Sequence, residues 1–460
     1  MRLRHLALSQ FRVYRQLELA LPAGPLVLVG QNAQGKTSLL EAIYALATSR
    51  APGGVPDRQL IRWQARQDEV WPFCRVQGLI ERRDGELQLE ILTAWQAGEA
   101  AGEDPRLVKR IRVNQVQKRA MDLLGQFNVV LFSPEDLSIV AGAPAERRRY
   151  LDGLLCQVDP AYCRALSRYN QVLSQRNHLL KLIRERRAAA GELPFWDERL
   201  LQDGALILEA RQRAVAGLER LAADLHLQVA GGGPPLSLAY RFSWQEEAED
   251  EAMATGDVPG DAAFVRSRQD GAQASSPVPA PAATPVSSVG ARTPMPASPP
   301  ADTADPNAAP ASAEALRGAF AAALAASQPA QLARGLTLVG PHRDDLAFRV
   351  GTVDMRSFGS RGQQRSVALA LRLAEARLMT ERRGEAPVVL LDDVLSELDP
   401  GRRERLLGLL DRVEQSILTT ADLAVLPPDW LAKATVLEVA GGRVGRPGQL
   451  DQPDGRVVGE

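Results

Sequence analysis

The sequence predicts an α/β fold: a P-loop sheet flanked by helices, with an antiparallel β part, interrupted by an inserted helical lobe. Three observations predict it. Leu26-Val27-Leu28-Val29 is a compact apolar strand running straight into a glycine-bracketed loop and an amphipathic helix. Far along the chain, Val388-Val389-Leu390-Leu391 is a second apolar strand, ending in two aspartates. Between them, from Pro144 to about Ala230, the apolar spacing switches to a helical period.

The elements follow in order. Leu3, Leu6, Leu8, Leu17, Leu19 and Leu21 alternate with polar residues, as in two short strands leading into residues 26–29. Leu39, Leu40, Ile43, Tyr44 and Ala47 line one face of the next helix. From Cys74 to Val116 alternation returns, with Leu87, Leu89 and Ile91 as its clearest run. Helical segments are expected over 161–190 and 196–229, broken by Gly191 and Pro194. At 1.5 Å per residue each spans roughly 45 to 50 Å, a domain-sized hairpin and not a long arm. Residues 246–313 are dense in Ala, Pro, Ser, Thr and Asp, so they cannot bury enough apolar surface to offset chain entropy and are expected to be a disordered insertion. The organisation expected is a head from 1–132 and 335–460, a helical lobe at 133–245, the insertion, and a helical return at 314–334.

Bulk composition narrows the class. With 45% hydrophobic and 24% charged residues, the chain has ordinary globular composition. No apolar run approaches the roughly 20 residues of a membrane span, and Ser9, Gln10 and Arg12 come too early for a secretory leader. A cytoplasmic protein without membrane association is expected. Cys74, Cys156 and Cys163 form neither a disulfide framework nor a zinc site, and the four histidines are scattered. The net charge of −1 conceals local patches: acidic at 246–251, basic at Arg147-Arg148-Arg149 and at 184–187.

Gly30-Gln31-Asn32-Ala33-Gln34-Gly35-Lys36-Thr37 fits the spacing of a phosphate-binding loop. Its glycines let backbone N–H groups close around phosphates, Lys36 brings a positive charge, and the Thr37 hydroxyl can ligate Mg²⁺. The helix beginning there adds the positive end of its dipole. Asp392 and Asp393 stand at the C-terminal edge of a buried strand, where phosphate chemistry is expected in an α/β sheet. Asp392 is read as the Mg²⁺ ligand and Asp393 as the general base that polarises water. Ser360-Arg361-Gly362-Gln363-Gln364 opens a helix running to about Arg383, and Ser396-Glu397-Leu398-Asp399 follows the aspartates. Either segment alone could be an ordinary cap or turn.

Phosphate loop, Ser-x-Gly-Gln-Gln helix, Asp-Asp and Ser-x-Leu-Asp, in this order, resemble an ABC-type ATPase head. Within that class the sequence resembles the RecF family. The segments carrying the likeness are Phe11-Arg12-Val13-Tyr14, Pro134-Glu135-Asp136-Leu137, Arg147 to Asp152, and Gly340-Pro341-His342-Arg343-Asp344-Asp345. The resemblance implies that ATP and Mg²⁺ are the cofactors. It adds Arg12, Ser38 and the backbone from Gly30 to Thr37 to the nucleotide contacts. It implies a homodimer closed by ATP, in which Ser360, Gly362 and Gln363 of one chain cap the γ-phosphate held by the other. It further implies binding to duplex or gapped DNA, weak DNA-stimulated ATPase activity used as a switch, and help in loading RecA with RecO- and RecR-like partners. A transporter's nucleotide-binding subunit and an SMC-like DNA tether are the alternatives. Thr419-Thr420 stand where transporter heads place a histidine, and no magnesium-sensing glutamine is assigned, Gln126 being near the expected junction. Arg147, Arg148 and Arg149 are candidate contacts to DNA phosphates; pairing with acids, or joining lobe to head, is the other reading of the same charges.

Overall fold

A computed structural model of the protein describes residues 1–97, 105–245, 312–411 and 413–449. The expected insertion falls outside the described residues from 246 to 311.

The chain opens with β1 (Arg2–Phe11) and β2 (Tyr14–Ala20), then β3 (Gly24–Val29) and helix α1 (Lys36–Thr48). β1 and β2 join β4 (Phe73–Arg82), β5 (Gly85–Gln96), β6 (Arg106–Val113) and β7 (Val116–Lys118) in an antiparallel sheet of order β2-β1-β4-β5-β6-β7. Its strands alternate as one-face-buried strands do: Cys74, Val76 and Ile80 of β4 point inward, between half-buried neighbours.

β3 lies elsewhere, in a sheet of order β15-β14-β3-β13-β12-β8. The partners are β8 (Val129–Phe132), β12 (Val388–Asp392), β13 (Gln415–Thr420), β14 (Thr435–Ala440) and β15 (Arg443–Gly445). All are parallel to β3 except β15. β8 is buried at every position and β12 at all but its last, as expected of strands covered on both faces. One core joins Leu6, Val76 and Leu89 of the antiparallel sheet to Leu39 and Ile43 of α1 and to Leu26 and Leu28 of β3.

After β8 come α2 (Leu137–Ala141), α3 (Pro144–Val158), α4 (Pro160–Arg184) and α5 (Leu193–Ala230). The expected helix over 161–190 stops at Arg184, because the chain turns there and Arg186 takes a left-handed φ of 59°. α6 (Ala313–Ala326) starts one residue earlier than the expected return, because Ser312 caps it by accepting the Ala315 N–H at 3.3 Å. α7 (Gln328–Arg334) follows.

A small sheet not expected from the sequence pairs β9 (Leu236–Arg241) with β10 (Asp345–Val350), which also pairs β11 (Val353–Asp354). Residues 345–350, expected in the head, are thus hydrogen-bonded to a strand at the end of the lobe. Two further long helices, α8 (Arg361–Arg383) and α9 (Pro400–Leu410), stand among the strands already placed. A second core runs without interruption from Leu200, Ile207 and Leu218 of α5 through Val367 and Leu371 of α8 to Val130 and Phe132 of β8. Lobe and head therefore share their apolar interior. No helix among the described residues is long and apolar enough to cross a membrane.

Candidate nucleotide site

The loop from Gly30 to Gly35 leaves the C-terminal end of β3 and closes on the N-terminus of α1. Its two glycines are required by different constraints. A Cβ on Gly30 would sit 2.2 Å from the Val439 carbonyl oxygen of the neighbouring strand. Gly35 has a φ of +117° and would place a Cβ 2.7 Å from the Tyr14 hydroxyl. That hydroxyl donates to the Gly35 carbonyl at 3.0 Å. Gln34 braces the loop against the far end of the chain, accepting the Gly441 N–H on Oε1 at 2.7 Å and the Gly442 N–H on its carbonyl at 3.2 Å. Lys36 Nζ donates to the carbonyls of Gly30 at 2.6 Å and Gln31 at 2.9 Å. Burial lowers the affinity of this ammonium for its proton, and Asp393 and Asp392 act to raise it.

The helix after the loop meets the acidic strand end at a hydrogen bond. Thr37 Oγ1 donates to Asp392 Oδ1 at 3.0 Å, across 355 positions of sequence. Thr419 on β13 completes the group: its hydroxyl donates to the same Oδ1 at 2.8 Å and accepts the Asp393 N–H at 2.9 Å. This follows from the sheet, because β13 lies between β3 and β12 and sets Thr419 directly beside Asp392. Burial lifts the Asp392 carboxyl above the usual aspartate range, while the bonds from Thr419 and Thr37 hold it down. Asp393 sits in left-handed backbone at φ 50°, a conformation uncommon for a side-chain-bearing residue. Lys36, Thr37, Ser38, Asn32, Ala33, Asp392, Asp393 and Thr419 line a cleft of about 850 Å³.

A family model for the RecF/RecN/SMC N-terminal domain matches residues 2–426. The DNA replication and repair protein RecF of Herpetosiphon aurantiacus is 40% identical over 445 residues, covering 95% of this chain and 98% of that one. The chain belongs to the RecF family. The RecF of Chloroflexus aggregans is likewise 40% identical, over 450 residues covering 96% and 99% of the two chains. Among solved structures, the recombination mediator protein RecF with ATP, of the RecFOR pathway, is similar at a TM-score of 0.71 and 27% identity, covering 96% of each chain. The fold is accordingly the mixed α/β head of this SMC-like ATPase class.

Against this RecF frame, the residues expected from the sequence fall into three groups. The first lines the cleft: Arg12, Asn32, Ala33, Gly35 to Ser38, Asp392 and Asp393, whereas Gly30, Gln31 and Gln34 of the loop are not among its lining residues. The Arg12 fork, however, is turned onto Glu41, with Nε at 2.8 Å and Nη2 at 2.6 Å from the carboxylate oxygens, and its Nη1 reaches the Gln59 carbonyl at 3.2 Å. The second group is Ser360, Gly362 and Gln363, none of which lines that cleft. Ser360 caps α8 in a reciprocal box with Gln363: Ser360 Oγ accepts the Gln363 N–H at 3.3 Å and Gln363 Oε1 accepts the Ser360 N–H at 2.9 Å. Gln126 is also away from Asp392. It precedes β8, at the opposite end of the parallel sheet from Asp392, and its side-chain oxygen accepts from Arg82 at 3.3 Å.

The third group requires a correction. Arg147 does not face solvent: it is 1% exposed, and its Nε and Nη2 grip both carboxylate oxygens of Asp345 at 2.6 and 2.9 Å. Its Nη1 donates to the Gly142 carbonyl at 2.9 Å. Arg148 is half-buried and donates to the Asp344 carbonyl at 2.8 Å. Both arginines fasten the start of α3 to the Gly340–Asp345 turn, which takes up the whole Arg147 fork and one nitrogen of Arg148. Arg149 is exposed and pairs with Glu146 at 2.6 Å.

The turn itself is a buried polar joint. Asp344 accepts from the Tyr240 hydroxyl and the Ser243 N–H, both at 2.8 Å. His342 Nδ1 lies 2.7 Å from the Tyr169 hydroxyl, and burial pushes its pKa down to about 4. Residues that sequence reasoning missed are Thr419, noted only for not being histidine, and Glu41. Neither carries a local signal, because each acts through a partner far away in sequence.

Proposed function

We propose that this RecF-family chain is an ATP-operated switch acting on DNA in replication and recombinational repair. ATP binding closes a homodimer on duplex or gapped DNA, and slow hydrolysis reopens it. The observation that carries the reading is the 3.0 Å bond from Thr37 to Asp392, which brings the phosphate loop and the acidic strand end to one crevice. A hydroxyl and a carboxylate oxygen brought this close are the hard oxygen donors that Mg²⁺ prefers. Thr37 and Asp392 would therefore hold Mg²⁺, and the bound ion would neutralise charge on the phosphates.

The chain's own groups supply the rest. Loop N–H groups and the α1 dipole cradle the β- and γ-phosphates. Lys36, anchored beside them by two carbonyls, adds positive charge as negative charge shifts toward the leaving ADP. Asp393 takes the proton of the water that attacks the γ-phosphorus as the bond to the β-phosphate oxygen breaks. Thr419 fixes the Asp393 backbone for that task.

Ser360, Gly362 and Gln363, away from their own chain's cleft, are proposed to cap the γ-phosphate of a second copy from the N-terminal end of α8. DNA contact would be mainly to the backbone, with Arg149 among the contributors. RecA loading with RecO- and RecR-like partners in the cytoplasm is the proposed setting. Lys36→Met tests the foundation: calorimetry should show ATP binding abolished, and retained affinity would overturn the site.

A further inference from the structure

The phosphate-facing residues occupy only part of the cleft. Arg12, Gln59, Ile61, Trp63 and Arg66 line the remainder. The short segment carrying the last four is held rigidly against the end of β1. Arg12 N–H donates to the Leu60 carbonyl and Arg62 N–H to the Gln10 carbonyl, each at 2.8 Å, and Phe11 and Ile61 form an isolated β-bridge. Arg12, locked by Glu41, adds its bond to the Gln59 carbonyl.

Trp63 comes immediately after this clamp and is 65% exposed, although Ile61 two residues earlier is buried. The Arg66 guanidinium lies over its ring, 5.8 Å from the centroid. A large, open indole on an anchored backbone, beside a cation and lining the same cleft as the phosphate loop, is a stacking platform.

We infer that Trp63 is the base-stacking residue of the nucleotide site, taking the purine of a nucleoside triphosphate whose phosphates lie in the Gly30–Thr37 loop. Arg66 steadies the indole and adds positive charge beside the stacked base. A purine offers more face than a pyrimidine, so the platform favours purine nucleotides through area and not through hydrogen-bond readout. The inference rests on the nucleotide-site reading above.

The test measures calorimetric affinity for ATP, CTP and inorganic tripolyphosphate, each with Mg²⁺, on the full chain and its Trp63→Ala and Trp63→Phe variants. Trp63→Ala should weaken ATP about 5- to 30-fold and shrink the ATP-to-CTP preference. It should leave tripolyphosphate unchanged, which also certifies that the variant is folded. Trp63→Phe should keep most of the ATP affinity, and should lose the indole fluorescence change that ATP produces in the unaltered chain. Equal ATP affinity and an equal purine preference in Trp63→Ala would overturn the inference and leave the phosphate site standing. An unaltered chain that binds neither ATP nor tripolyphosphate would overturn the phosphate site and the inference with it.

Discussion

Arg147 is where charge alone misleads, and it offers the sharpest test of the architecture. Arg147→Ala removes a guanidinium 1% exposed and leaves the Asp345 carboxylate, 14% exposed, without its two strongest donors. Removing one partner of a buried ion pair costs about 3–5 kcal/mol, because the remaining charge stays desolvated. Asp345 keeps the Leu346 N–H at 2.8 Å and has Arg356 at 4.0 Å, so the lower end, about 3 kcal/mol, is expected. The Gly142 carbonyl also loses its donor. Urea unfolding should show a lower midpoint with an unchanged slope. At a urea-free temperature where the variant is folded, the salt dependence of DNA binding should match the unaltered chain, whereas Arg149→Ala should lower that slope by about one phosphate contact. If Arg147→Ala is within 1 kcal/mol of the parent and instead loses a unit of salt slope, the burial argument is refuted.

Three further outcomes are expected. Ser360→Arg should bind ATP as a monomer within about threefold of the parent, since Ser360 lies outside its own cleft; light scattering that still detects an ATP-driven dimer would end the capping proposal. Asp393→Asn should lower turnover by at least about 100-fold and accumulate closed dimers, and unchanged turnover would remove Asp393 from catalysis. His342, with an ordinary pKa of 6.5 pushed to about 4 by burial, takes up its proton more readily in the unfolded chain between those values. Stability should therefore be full above pH 6.5 and fall on acidification toward pH 4, by about 3 kcal/mol. His342→Gln should flatten that part of the urea-midpoint profile.

Whatever is written locally in the sequence was legible. The loop from Gly30 to Thr37 announces itself because the glycine spacing, the lysine and the following helix act within eight positions. Asp392 and Asp393 were legible because an apolar strand can expose carboxylates only at its ends. Thr419 was not, since its role depends on β13 lying between β3 and β12, a strand order that no single segment encodes. For the same reason the sequence left Arg147 open between DNA contact and pairing with acids: a charge run states its own sign and not its partner, and Asp345 is 198 positions away. β9 escaped notice because a six-residue strand after a long helix has too few alternations to stand out, and its mate β10 follows the insertion.

The strand order also bears on how the molecule is made. By residue 118 a ribosome has delivered every strand of the antiparallel sheet. β3 must wait for β13 and β14, and β8 for β12, all encoded beyond residue 387. At about 5–20 residues per second, β3 passes some 20–80 seconds as an apolar ribbon with both edges open. A nascent chain in that interval has a finished β-layer and a bare phosphate loop but no acidic strand end, and so lacks half of the crevice proposed to hold Mg·ATP. Nucleotide would thus be captured only by molecules whose synthesis is nearly over, and stalled fragments would be prone to aggregate without ever engaging the switch.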